Sequence, residues 1–485
     1  MNAVMLCPGC GTQNSVSRAF CFECRTSLER GRRVSGNEAR QVTKTGADRA
    51  LKLRFRNYAL LALVIVVVAT WVSYNAYNFL NLPDSPSTRI SVEPASGDWP
   101  MYQRDPTHSG FTPDASFNPE GKIHWIFEAD GQIASTPVVA EGAVYLSTDN
   151  QVDRIILALD AETGRLLWER SAAAPIDSSL AVAGGLVFVT IRDGRLLALN
   201  TSDGTIRWEF ASGAPLYGSP TVYRGTVYIG TFHKKLFALD AATGRLLWDR
   251  TVGGRVTANL VVNDQIIAFN AQDNFVYILD ARGGNQRLAF RTSQAIGSVA
   301  LNGERVYVAD IKGGLRAIDW TKKHFPLEEK IRTIRSNLYA LGLIRNFPIR
   351  KGSVWNVRQP NEPFLGTPAV ANGMVYVSSA SGKVFKVKES DGKPVWTFDA
   401  GAPASKTVSV TPHYVLVGDA KGRVHIIDAD TGEPEEQFEV DGPITSAPIV
   451  ANDMLYVATG NGKLYAIKYL ESRRMSGTGS SVWRV

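Results

Sequence analysis

The feature that most constrains this chain is a repeat of about forty residues running through most of its length. The segments LALDAETGRLLW (157–168), LALNTSDGTIRW (197–208) and LFALDAATGRLLW (236–248) are variants of one unit. Their Asp or Asn positions, Asp160, Asn200, Asp240 and Asp280, fall 40 residues apart, and Asp319 follows at 39. Lys388, Asp428 and Lys468 continue the series after a gap of 69, which is one unit plus an insertion of about 29 residues. Ahead of each hairpin runs an apolar stretch broken by a turn, such as TPVVAEGAVYLST or SPTVYRGTVYIGT. Apolar runs of this length between Gly or Asn-Asp turns read as short strands, so each unit is a four-stranded meander. Such a unit cannot bury its apolar face alone, and units stacked around an axis make a β-propeller. Eight positions in the series predict an all-β, eight-bladed β-propeller over residues 98–470.

Each repeated residue has a physical job. Asp160 or Asp240 is suited to accept hydrogen bonds from turn amides, and Gly164 or Gly244 to take the positive φ that closes the hairpin. The tryptophans eight residues on, Trp168, Trp208, Trp248 and Trp396, fall on the outer strand of their units. An indole buries a large apolar area and needs a partner for its N–H, so these are read as structural residues docking one blade on the next. GKIHWIFEA (121–129) is a tryptophan strand without a hairpin before it, and the last unit ends at LYAIKYL (464–470) without a tryptophan strand. Trp125 therefore predicts a ring closed by an N-terminal strand, which removes the exposed edges of an open ring.

These repeats, with DWPMYQRDPTHSGFTP at 98–113, resemble the pyrroloquinoline-quinone-like β-propeller family, which includes quinoprotein alcohol dehydrogenases and BamB-like outer-membrane assembly lipoproteins. The resemblance implies the fold, and fold alone does not settle function. Dehydrogenases of this family are longer and carry an adjacent-cysteine disulfide and a calcium site. Residues 98–470 contain no cysteine, no residue can be assigned as a catalytic carboxylate, and pyrroloquinoline quinone is not expected. Asp310, Asp419 and His233 sit at repeat-equivalent strand ends, where turn residues are the expectation.

The N-terminal region has a different character. All four cysteines lie there as Cys7-Pro-Gly-Cys10 and Cys21-Phe-Glu-Cys24, two knuckles offering the four thiolates of a structural zinc site. Residues 1–28 resemble short zinc ribbons, with Arg25 standing where such ribbons carry glycine. Residues 1–57 hold eleven basic and four acidic residues, so the formal net charge of +7 resides in this arm. Nothing aromatic interleaves the charges of the basic linker at 29–57, and nucleic acid is not expected as a partner. The apolar run at 58–80 predicts a transmembrane helix, and the basic residues before it predict a cytoplasmic N-terminus. On that reading the protein is a single-pass inner-membrane protein whose propeller, after a linker at 81–97, lies on the extracytoplasmic side, with a flexible tail at 471–485.

One segment departs from the repeat. The insertion at 321–353 predicts a helix opening near Pro326, with Leu327, Ile331, Ile334, Leu338 and Leu341 on one stripe and Lys330, Arg332 and Arg335 on another face. It reads either as a lid packed on the blades or as a contact for a partner or for anionic lipid. The functional expectation is an interaction scaffold for another envelope or membrane protein, without catalytic residues. The alternatives are a quinone-dependent dehydrogenase and a sensor relaying ligand binding to the zinc ribbon.

Overall fold

The computed structural model describes residues 3–39, 56–70, 85–88, 90, 95, 97–322, 328–346, 348, 350–469 and 482–484, apart from 115, 134 and 296. The chain divides into two compact units, Met1–Leu82 and Pro83–Val485.

In the larger unit the described strands form eight sheets in sequence order, antiparallel except where Val482–Arg484 joins the seventh. We number them 1 to 8: strands within 132–171, 181–211, 221–251, 261–291, 300–358, 369–399, 409–439 and 449–469. The strand Gly121–Glu128 completes sheet 8, pairing antiparallel with Lys463–Tyr469 so that Ala466 faces Trp125 in register. The sheets have one physical cause. Alternate residues of each strand face opposite neighbours, and the two middle strands are apolar on both faces, as in LVFVT (186–190) and RLLALN (195–200). Each sheet is therefore covered on both sides by another sheet. Buried clusters join sheet 1 to 2, 2 to 3, 3 to 4, and so on to 7 with 8. An eighth cluster, with Val144, Leu157, Tyr456 and Leu464, joins sheet 8 back to sheet 1. The order is cyclic, which is the arrangement of a β-propeller.

The tryptophans explain why the turn and the outer strand repeat together. Trp125, Trp168, Trp208 and Trp396 donate their indole N–H to Ala161, Thr201, Ala241 and Ala429 carbonyls at 3.1, 2.7, 3.0 and 3.0 Å, each in the next sheet's turn. The glycine of that turn presses on the ring: a Cβ added at Gly204, where φ is +69°, would lie 2.6 Å from the Trp168 ring. Trp248 packs in the same way against Gly284. Trp355, which the repeat spacing hides behind the insertion, does the same toward the Glu389 carbonyl at 2.9 Å and Gly392. Leu288 and Glu436 take the tryptophan's register position in sheets 4 and 7.

The smaller unit holds a three-stranded sheet of Gln13–Ser15, Ala3–Leu6 and Arg32–Ser35. Here the expected membrane crossing is corrected. Residues 56–70 are helical. No helix among the described residues is long and apolar enough to cross a membrane, and the Thr70 hydroxyl turns back onto the Val66 and Val67 carbonyls at 2.8 and 2.9 Å. The remainder of the expected span, 71–80, and the linker residues 40–55 lie outside the described residues. The inner-membrane location, with a cytoplasmic N-terminus and an exported propeller, is withdrawn with the span it rested on.

Candidate functional site

Three places in the chain concentrate chemistry: the axis of the ring, the four cysteines and the insertion.

The inner strands of sheets 1 to 7 lie side by side in order, so these strands surround the axis. Residues 97–112 cross it. Carbonyls of Gly97, Trp99, Pro100, Pro106, Thr107, Ser109 and Gly110 accept the N–H of Asn452, Val139, Val182, Val262, Leu301, Val370 and Val410 at 2.8–2.9 Å. One segment thus bonds the inner strands of six of the eight sheets and the turn that follows the inner strand of a seventh. Its side chains Trp99, Met101, Gln103 and His108 are almost wholly buried. His108 donates through Nδ1 to the Val299 carbonyl at 3.0 Å, and burial brings its imidazole down to about 4.

On the side where the inner strands begin, a cavity of about 350 Å³ remains, bounded by Tyr102 from the crossing segment. Its wall is a relay of hydroxyls and one amide. The backbone N–H of Ser179 donates to Ser219 Oγ, that of Ser219 to Asn259 Oδ1, that of Asn259 to Ser298 Oγ and that of Ser298 to Thr367 Oγ1, at 2.6–3.0 Å. Thr367 Oγ1 meets Tyr102 OH at 2.9 Å. Sequence reasoning missed this belt, although its signal was present: a polar residue precedes each apolar inner strand at the repeat period.

The cavity does not suit a calcium-bound quinone. Calcium takes six to eight oxygen ligands, carboxylates prominent among them. The one carboxylate lining this space, Asp177, is held by Arg192 through Nε at 2.6 Å and through Nη2. Asp310 and Asp419 are turn residues engaged with Arg316 and with Arg423 and His425, and His233 is exposed. Among the described residues, the one group of three or more His, Cys, Asp or Glu side chains close enough to hold a metal is Cys7, Cys10, Cys21 and Cys24.

Those four Sγ atoms lie within 4.8 Å of one another. A tetrahedron with metal–sulfur bonds of ~2.3 Å spaces its sulfurs roughly 3.8 Å apart, so the donor set fits a thiolate-bound metal. The two knuckles are built alike: Gly11 and Arg25 have φ of +73° and +59° and donate their N–H to the Cys7 and Cys21 carbonyls at 3.0 and 3.1 Å. Arg25 thus adopts the conformation for which glycine is ordinarily used. Gly9 N–H and the Asn14 side-chain amide reach Cys7 and Cys21 Sγ at 3.3 and 3.5 Å. Burial pushes the Cys21 thiol up, but the amides of Cys24 and Glu23 and the Asn14 side chain outweigh it and bring it to about 6. Four ligands fill a tetrahedral site, which leaves a metal there no open position for substrate.

The insertion carries a helix, Glu328–Ala340; Lys323, Pro326 and Leu327 lie outside the described residues. Leu338 on the apolar stripe is half-buried. Ile331 and Ile334 on the apolar stripe are 44% and 59% exposed, Leu341 just beyond the helix is 73% exposed, and Lys330 and Arg335 are exposed on the basic face while Arg332 is half-buried.

Known proteins resemble parts of this chain. The family described as "Outer membrane protein assembly factor BamB" matches residues 401–485. A 1-butanol dehydrogenase (cytochrome c) of Thauera butanivorans is 27% identical over 119 residues, a match spanning 21% of this chain and only 17% of that protein. The crystal structure of BamB from Moraxella catarrhalis superposes with a TM-score of 0.57 at 16% identity, covering 72% of this chain and all of that one. The quinohemoprotein alcohol dehydrogenase of Comamonas testosteroni gives 0.60 at 15% identity, covering 81% and 83%. The chain is therefore similar to BamB in its C-terminal repeats, and it shares its propeller fold with both BamB and the quinohemoprotein alcohol dehydrogenases.

Proposed function

We propose that this chain is a non-catalytic interaction scaffold: an eight-bladed propeller, one blade per sheet, joined to an N-terminal ribbon whose Cys7, Cys10, Cys21 and Cys24 hold a structural zinc ion. The zinc supplies cohesion to a unit too small to rest on its own apolar core, and the ribbon's three-stranded sheet carries it. The observation that supports the scaffold reading is the insertion helix. Repeat geometry does not require it, and it presents Ile331 and Ile334 together with Lys330 and Arg335 to solvent. An amphipathic helix with one basic face suits a partner offering an apolar groove rimmed by acidic side chains. The match to an outer membrane assembly factor supports a partner among envelope proteins.

The test combines stability with contact. Ile334→Asp and the double reversal Lys330→Glu, Arg335→Glu should leave the melting temperature within about 2 °C, because exposed substitutions change stability by about 0.5 kcal/mol or less. A photo-crosslinker at position 334 in the native cell should form one protein adduct, and the reversal should abolish it. A melting temperature lowered by many degrees, or an adduct insensitive to the reversal, would refute the contact reading.

A further inference from the structure

The two junctions whose outer strand lacks a tryptophan differ in what replaces it. Between sheets 4 and 5 the insertion enlarges the turn, and Gly352 meets Leu288 instead, its built Cβ 3.4 Å from Leu288 Cδ2. Between sheets 7 and 8 there is no turn to dock on, because sheet 8 is completed by Gly121–Glu128 and not by a continuous hairpin. Glu436 stands where the indole would be, opposite Ile426. An apolar cavity of about 280 Å³ remains there, lined by Phe117, Ile123, Glu436, Phe438, Ile467 and Tyr469 among others. Burial raises the Glu436 carboxyl above the usual range, and nearby Glu120 and Glu435 push the same way.

The same outer strand, Pro434–Glu439, carries a second peculiarity. Among the described residues it is the one outer strand to which a further strand is added: Val482–Arg484 pairs with it in parallel, with Gln437 opposite Val482, Phe438 opposite Trp483 and Glu439 opposite Arg484. Charge favours the pairing. The receiving strand reads PEEQFE, whereas residues 472–485 contain three arginines and no acidic residue. An added strand satisfies the free N–H and C=O groups of an edge.

We propose that this edge and its cavity form a strand-docking site for a basic strand bearing a large apolar side chain suited to the seat beside Glu436, and that the chain's own residues 482–484, paired there through their backbone, are its resident strand. The site goes beyond the scaffold reading and does not depend on the insertion helix. Its resident is tethered, and a tethered segment acts at an effective concentration on the order of millimolar. A free copy of the segment therefore competes poorly until the resident is disabled.

The experiment uses the full chain and a labelled peptide of residues 477–485, GTGSSVWRV, read by fluorescence anisotropy. In the chain bearing Val482→Pro and Arg484→Pro, the tail cannot maintain the ladder, since proline lacks the N–H and resists a paired strand. The peptide should bind that chain saturably and bind the unaltered chain at least about ten-fold more weakly. Adding Glu436→Trp to the double-proline chain should fill the seat and abolish binding, with the urea midpoint retained or raised as proof of folding. A peptide with tryptophan replaced by alanine should also fail to bind. Absence of binding to the double-proline chain, equal binding to both chains, or binding unaffected by Glu436→Trp would each overturn the proposal. A concentration-dependent dimer of the unaltered chain that the proline changes dissolve would overturn the assignment of the resident to the same molecule.

Discussion

The docking of an indole on the next sheet's glycine can be measured as a coupling energy. Trp168 is 7% exposed, donates to Thr201 O at 2.7 Å and lies over Gly204, whose φ is +69°. Trp168→Ala removes a buried ring and its hydrogen bond, a loss of about 3–5 kcal/mol. Gly204→Ala in the unaltered chain costs about 1–2 kcal/mol for a left-handed alanine. A further ~1–3 kcal/mol comes from forcing the methyl against the ring, because the new Cβ would sit 2.6 Å from Trp168 Cε3. Once the ring is gone the second cost vanishes and only the backbone cost remains. The double mutant should therefore be more stable than the sum of the singles by ~1–3 kcal/mol, well outside the ~0.5 kcal/mol within which independent sites add. Urea unfolding followed by both circular dichroism and tryptophan fluorescence gives the four midpoints, and coincident transitions check that one process is being observed. Additivity of the two substitutions would refute the claim that tryptophan and turn glycine act as one device.

Three other outcomes follow from the same structure. Cys10→Ser should release zinc, measured by a chromogenic chelator, and unfold residues 3–35 while the main thermal transition stays in place, since structural zinc binding is folding free energy for its own unit. His108 is neutral in the fold and its folded value is depressed to about 4 from 6.5. Its contribution is thus fully present above pH 6.5 and is lost as pH falls toward 4, so His108→Gln should flatten the stability profile between those limits. Asp160 is held below its ordinary value of 3.8 by the Thr163 hydroxyl and amide. The stability it adds is present above pH 3.8 and lost only below it, and Asp160→Asn should reduce the urea midpoint at neutral pH but not at pH 2.

The parts of this protein visible in its sequence are those that side chains encode at a fixed period. Asp160, Gly164 and Trp168 are legible because turn and outer strand lie eight residues apart in one hairpin, and the strand at 121–129 declares itself by a tryptophan without a hairpin. Trp355 was hidden because the insertion separates it from Asp319, and Glu436 because an acid at a docking position looks like ordinary surface. The crossing of the axis by residues 97–112 was illegible for a different reason: its seven contacts run through backbone carbonyls, which any residue possesses. The apolar run at 58–80 suggested a crossing on hydropathy alone, and no helix among the described residues is long and apolar enough to make one. Exposure of the insertion helix was also beyond reach, since an apolar stripe carries the same sequence pattern whether it is covered by its own protein or by another.

A non-catalytic scaffold requires the ring axis to be a structural belt and not a cofactor site. The most direct measurement is a titration of the purified full chain with pyrroloquinoline quinone in the presence and absence of Ca²⁺, followed by absorption and by dye reduction on addition of 1-butanol. We expect no saturable spectral change and no alcohol-dependent dye reduction, because Asp177 is committed to Arg192 and the hydroxyl belt to backbone amides. Stoichiometric, Ca²⁺-dependent quinone binding with alcohol-dependent reduction of the dye would contradict the scaffold reading and make this propeller a dehydrogenase.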